Sequence, residues 1–219
     1  MSTGVREPLD AAKIIDTALA LIDTHGLDGF STRKLAAEFA VTPMSLYHYF
    51  EGRDALLSAV VDHVLESVEI PKRGRGSWKS GVRRLLTSFR GQLLRHVEVL
   101  PLLASAKYWS PALLAVGNEL FEILAESGCT HHAAVRAHRI LMHHTFGNLL
   151  VQGSDPDPGA IKRARHMLES TELSPVARKR LQSTFELARA AAEDDEKDFT
   201  ASLDCLIAGL DATVLRTRR

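Results

Sequence analysis

Apolar residues recur at intervals of three and four along nearly the whole chain, and no stretch alternates apolar with polar residues convincingly enough for a strand. Ile15, Ala18 and Ile22 form one such stripe, widened by Ile14 and Leu21. Leu57, Val60, Val64 and Val68 form another, and Val82, Leu85, Phe89 and Leu93 a third. Phe199, Leu203, Leu206, Leu210 and Val214 close the chain in the same rhythm. The pattern predicts an all-α protein of about nine or ten helices. Asp10, Ser31, Ser110-Pro111 and Ser174-Pro175 read as helix starts, and Gly26 as a helix end. PKRGRGS (71–77) and GSDPDPG (153–159) read as loops, since Pro and Gly crowd both. With 219 residues the chain can bury a sizeable core as one large domain or two small ones.

The segment from Ser31 to Phe50 is the most informative. It reads as helix, tight turn, helix, with Leu35, Ala36 and Phe39 turned inward from the first helix and Leu46 and Phe50 from the second. Neither helix is long enough to be stable alone, so both must pack on longer neighbours. A helix-turn-helix is built this way, and its second helix can enter the DNA major groove.

With Leu46 and Phe50 inward, TPMSLYHYF (42–50) is left presenting Pro43, Met44, Ser45, Tyr47, His48 and Tyr49 outward, after a start at Thr42. The hydroxyls and the imidazole can bond phosphates or base edges, and Met44 and the proline ring can touch thymine methyls. Thr32, Arg33 and Lys34 open the preceding helix, where backbone N–H groups favour a phosphate, and Arg53 opens the following one. Aromatic residues are only 6% of the chain, so three of them in four positions mark a surface as much as a core.

Charge pulls the other way. The whole chain is formally neutral, with 27 basic and 27 acidic residues. Residues 1–70 hold five Lys/Arg against eleven Asp/Glu, a difference of −6, whereas residues 31–53 hold three against two. DNA binding by such a unit must lean on few phosphate contacts and on help from a dimer.

GLDGFSTRKLAAEFAVTPMSLYHYFEGRDALLSAV resembles the DNA-binding domain of the TetR family of repressors over about residues 10–65. The resemblance carries a basic pair, an LA step, a turn, then LYxxF and an ALL segment. It implies that Thr32, Arg33, Lys34, Met44, Ser45, Tyr47, His48, Tyr49 and Arg53 contact an operator. The rest, from SFRGQLLRH through GNELFEILAESGCTHHAAVRAHRILMHHTFGNLL, is similar in layout to the tetracycline-repressor subgroup. There a histidine and a glutamate help hold a magnesium–drug complex. The matching positions here are Leu103 and Val151, whose hydrocarbon side chains cannot bind a hard cation, which argues against tetracycline as inducer.

The expected organisation is a three-helix helix-turn-helix domain over residues 1–52, joined to a larger helical domain over residues 53–219. The helices near 130–152 and 196–216 are apolar over a broad arc, which suits a four-helix bundle with a second copy of the chain. His131, His132, His138, His143 and His144 never stand three or four apart, so a metal site is not expected among them. Phe89, His96, Tyr108, Trp109, Met142, His143 and Phe146 are the candidates for an apolar pocket with a few polar groups that takes a small-molecule effector. Simple packing is the competing role for each.

No HExxH, GxSxG, P-loop or dinucleotide fingerprint occurs, which leaves a helical enzyme as the weaker alternative. A second alternative is a DNA-binding regulator with no small-molecule inducer. No cofactor is expected. The N-terminus lacks the apolar run of a signal peptide, no segment has the apolar length of a membrane helix, and Cys129 and Cys205 stand far apart. These point to the reducing cytoplasm.

Overall fold

The computed structural model describes residues 9–72, 76–105, 110–152, 160–191 and 195–215. Among them the ordered elements are eleven α-helices and one 3-10 turn, with no extended strand. In chain order the helices are α1 (Ala11–Gly29), α2 (Thr32–Glu38), α3 (Pro43–Leu46), α4 (Arg53–Glu66) and α5 (Trp78–Arg95). The 3-10 turn Val97–Val99 follows, then α6 (Leu100–Ala104), α7 (Pro111–Ala125), α8 (His131–Gln152), α9 (Ala160–Ser170), α10 (Pro175–Ala191) and α11 (Asp195–Thr213). GSDPDPG lies outside the described residues. No helix among them is long and apolar enough to cross a membrane.

The caps read from sequence form as local chemistry dictates. Asp10 accepts from the Lys13 N–H at 2.8 Å, Ser31 from Lys34 at 3.2 Å, and Ser110 from Leu113 at 3.0 Å. Gly26, read as a helix end, takes a non-helical φ of +69° and interrupts α1 there; a short further helical stretch follows to Gly29.

The first four helices pack around Ile14, Ala18 and Ile22 of α1, Leu35 and Ala36 of α2, Leu46 of α3, and Leu57, Val60 and Val61 of α4. α4 also packs on α5, α6 and α7, so the same helix serves the N-terminal unit and the larger one. In the larger unit α5 is sandwiched against α7, α8 and α11, burying Val82, Leu85, Leu86, Phe89 and Leu93 completely. All of these belong to one continuous apolar cluster.

The α5–α7 crossing is close because Gly81 has no side chain. A Cβ there would stand 3.0 Å from the Ile123 Cγ2. Gly81→Val should therefore lower stability by about 1–3 kcal/mol through overpacking. Urea unfolding reads the loss, and Ile123→Ala in the same chain should restore part of it.

Candidate nucleic-acid interface and ligand site

The turn between α2 and α3 depends on Ala40, whose φ of +51° is left-handed. Its N–H donates to the Ala37 carbonyl and that of Val41 to Ala36, which closes α2 and reverses the chain. An L-residue in this region is strained, and glycine is not. Ala40→Gly should raise the melting temperature, with a gain of about 0.5–1 kcal/mol by thermal unfolding.

α3 is shorter than the sequence suggested. It spans only Pro43–Leu46, and residues beyond it continue as tight turns, with the Tyr47 N–H donating to Met44 and that of Tyr49 to Leu46. Thr42 begins α3 without capping its backbone; its hydroxyl bonds the Ser45 Oγ at 3.2 Å instead. Leu46 is buried and Phe50 half-buried against the core. That anchor turns Met44 (67% exposed) and Tyr47 (42% exposed) to solvent, with Thr42 and His48 also exposed and Pro43 and Ser45 half-buried.

Tyr49 is exposed as a residue, but its hydroxyl donates to the Leu9 carbonyl at 2.6 Å. That bond fastens the chain ahead of α1 to the end of the α3 turn, so the phenol is engaged within the protein. The basic side chains differ in the same way. Lys34 Nζ donates to the Gly29 carbonyl at 2.7 Å, and the Arg53 guanidinium lies 5.9 Å from the centre of the Phe30 ring. Arg33 is exposed on α2 beside half-buried Thr32, and its side chain has no protein partner among the described residues.

Among the described pocket candidates, two meet directly. Phe89 and Phe146 make an edge-to-face contact with centroids 5.9 Å apart, and Met142 packs half-buried on the same core. Tyr108 and Trp109 lie outside the described residues. His96 is committed elsewhere: its Nδ1 and the Asp23 carboxylate of α1 stand 2.8 Å apart, joining the larger unit to the first helix. His63 on α4 and Asp16 on α1 make a similar contact at 3.1 Å. His143 is exposed.

The histidine that turns inward is His138, which sequence reasoning set aside with the others. It stands four residues after buried Ala134 and three before buried Leu141, a spacing that places it on the inner stripe of α8. Its ring stacks on Phe121 of α7, centroids 4.1 Å apart and planes 4° from parallel. His144 similarly stacks on Phe199, with the Ser202 hydroxyl 3.1 Å from its Nε2. Burial pulls both imidazoles below the ordinary histidine pKa. Both therefore resist protonation when folded, and stability should fall as pH drops through the unfolded value of about 6.5. Among the described residues no group of three or more metal-ligating side chains gathers.

Two family profiles match this chain. One, described as bacterial regulatory proteins, tetR family, covers residues 14–60. The other, described as tetracyclin repressor-like, C-terminal domain, covers residues 70–214. The class D tetracycline repressor protein of Escherichia coli is 28% identical over 206 residues, which is 93% of this chain and 89% of that protein. The class A tetracycline repressor from transposon 1721, also of Escherichia coli, is 30% identical over 183 residues, or 82% of each. Among solved structures, that of the TetR family protein ActR of Streptomyces coelicolor in complex with actinorhodin superposes with a TM-score of 0.73 at 26% identity. The match covers 95% of this chain and 99% of that one.

Proposed function

Because the chain belongs to the tetR family of bacterial regulatory proteins, we propose that it is a ligand-responsive transcriptional repressor. It holds a palindromic operator as a homodimer and is released by a small molecule. The observation that carries this reading is the buried Leu46, which holds Met44, Tyr47 and His48 outward from a packed three-helix unit. Thr32, Arg33, Lys34 and Arg53 flank that surface, and Thr42, Pro43 and Ser45 complete it. Tyr49 contributes by fastening the chain ahead of α1.

The relatives supply the rest of the reading. Several of the curated matches, the class D and class A proteins among them, are tetracycline repressors, and ActR was solved with actinorhodin bound. Leu103 is buried and Val151 is 73% exposed, and neither hydrocarbon side chain can bind a hard cation, which argues against tetracycline as the effector. The dimer reading is supported by an exposed run of small residues on α11 (Ala201, Cys205, Ala208, Gly209 and Ala212) and by exposed Leu150 and Val151 on α8. We divide the chain at 52/53, with α4 as the lever, since it packs on both units. The effector favours a conformer whose two reading units are wrongly spaced, and operator affinity falls. The cytoplasm is its compartment.

A gel shift with DNA flanking its own gene, with and without a compound panel, tests this. The expected result is a specific shift that one compound abolishes. No specific shift, with Tyr47→Ala and Arg33→Ala behaving like wild type, sinks the reading.

A further inference from the structure

Two polar contacts tie the first helix of the reading unit to the larger unit, and both pair a carboxylate of α1 with an imidazole. Asp16 Oδ1 stands 3.1 Å from the His63 Nε2 of α4, and Asp23 Oδ2 stands 2.8 Å from the Nδ1 of His96, just past α5. The aspartates are seven residues apart, so they share one face of α1 about 10 Å apart along it. The His96 pair is the more shielded of the two. Glu98 of the 3-10 turn comes up to the same joint, where a Cβ on Gly26 would lie 3.2 Å from its Oε2. α1 is thus held at two points, one on the lever helix and one at the turn that follows α5.

We propose that Asp16–His63 and Asp23–His96 form a protonation-sensitive latch that fixes the reading unit on the larger unit, so that operator binding tightens as pH falls through the histidine range. The half that concerns DNA rests on the repressor reading above; the latch itself does not.

Histidine is the side chain that changes charge between about pH 5 and 8. Beside a carboxylate a neutral imidazole makes an ordinary hydrogen bond, and an imidazolium makes a charge-assisted one. The charged groups around the two rings are mostly acidic. α1 brings Asp16 and Asp23, the 3-10 turn Glu98, and α4 Glu66, three residues after His63. α7, packed on α4, carries Glu119 and Glu122. Asp62 is taken up by the Ala112 N–H at 2.9 Å, and α6 has no charged residue. Of the nearby cations, Arg95 donates to the Gln92 Oε1 at 3.2 Å, and Lys13 lies one turn before Asp16. A proton on either ring therefore adds attraction across the joint. An operator accepts the two reading units in one orientation, and apparent affinity falls with the fraction of molecules held otherwise. Ion pairs this exposed contribute about twofold each, and the four in a dimer about tenfold.

The test has two arms, both on the full-length protein at about pH 6 and about pH 8. In the first, wild type, His96→Asn, Asp23→Asn and the double variant are unfolded in urea. His96→Asn puts a neutral amide where Nδ1 stands. The coupling between the two positions should be about twofold or more at the lower pH and should shrink at the higher. Acid acts oppositely on His138 and His144, whose burial opposes protonation, but that effect is common to all four proteins and cancels. Equal coupling at both pH values overturns the latch.

The second arm reads fluorescence anisotropy on DNA flanking its own gene. Wild type should gain about tenfold more affinity on acidification than His63→Gln/His96→Asn does, and His48 on the DNA surface responds alike in both. Asp16→Asn/Asp23→Asn leaves the histidines free to take protons and should lose the same tenfold. If the aspartate variant keeps the response while the histidine variant loses it, added charge alone is the cause and the proposal is overturned. Equal responses in all three overturn it as well. No specific binding at either pH sinks the repressor reading, and the urea arm then decides the latch.

Discussion

Arg90→Ala should lower the stability of the fold by about 3–5 kcal/mol, read as a lower urea midpoint. Arg90 is 4% exposed in the C-terminal half of α5. Its Nε donates to the Asn148 Oδ1 of α8 at 2.5 Å, its terminal nitrogen contacts the Asp195 carboxylate at the start of α11, and its plane lies 4.7 Å from the Phe199 ring centre. One planar cation thereby joins three helices. Burial pulls its pKa down while Glu196 pushes it back, so the charge is held by its acidic neighbours against its own desolvation. Truncation leaves a cavity and an unpaired Asp195 that is itself only partly exposed. Arg90→Met refills the volume and isolates the electrostatic part, and adding Asp195→Asn should recover some of the remaining loss. Equal damage from Met and Ala would place the whole effect in the lost charge, and full recovery by Met would place it in the cavity.

What the sequence showed plainly was local. Asp10, Ser31 and Ser110 each satisfy an N–H three residues away, so short-range pattern suffices to find them. Leu35, Leu46, Leu57 and Phe89 lie on stripes of helical period, and all four are buried. The contacts that decide the roles of particular side chains are not local. Arg90 meets a residue more than a hundred positions away, and Tyr49 spends its hydroxyl on Leu9. Neither partnership follows from spacing. Among the histidines, the stripe shared with Ala134 and Leu141 distinguishes His138 from exposed His143, whereas pairing at three or four residues is lacking for all five alike.

Side-chain partners within the protein also decide which cations are available at the DNA surface. The N-terminal seventy residues carry a −6 imbalance, so operator affinity should fall with salt more gently than it does for a strongly basic reader. Of the three cations in residues 31–53, Lys34 closes the end of α1 and Arg53 rests on Phe30. Arg33 is exposed and uncommitted among the described residues, so it is the side chain best placed to displace a counterion. Arg33→Ala should weaken operator binding by about tenfold or more and flatten the slope of log affinity against log salt by about 2, one phosphate contact from each half of a dimer at about 0.9 per contact. Fluorescence anisotropy over a potassium chloride series reads both quantities. Tyr47→Phe should weaken binding with the slope unchanged, because a lost hydroxyl bond releases no counterion. Lys34→Ala should act mainly on thermal stability, through the unsatisfied Gly29 carbonyl. A slope change from Lys34→Ala as large as that from Arg33→Ala would mean that the lysine leaves its cap on DNA, and the electrostatic footprint would then be the pair rather than the single arginine.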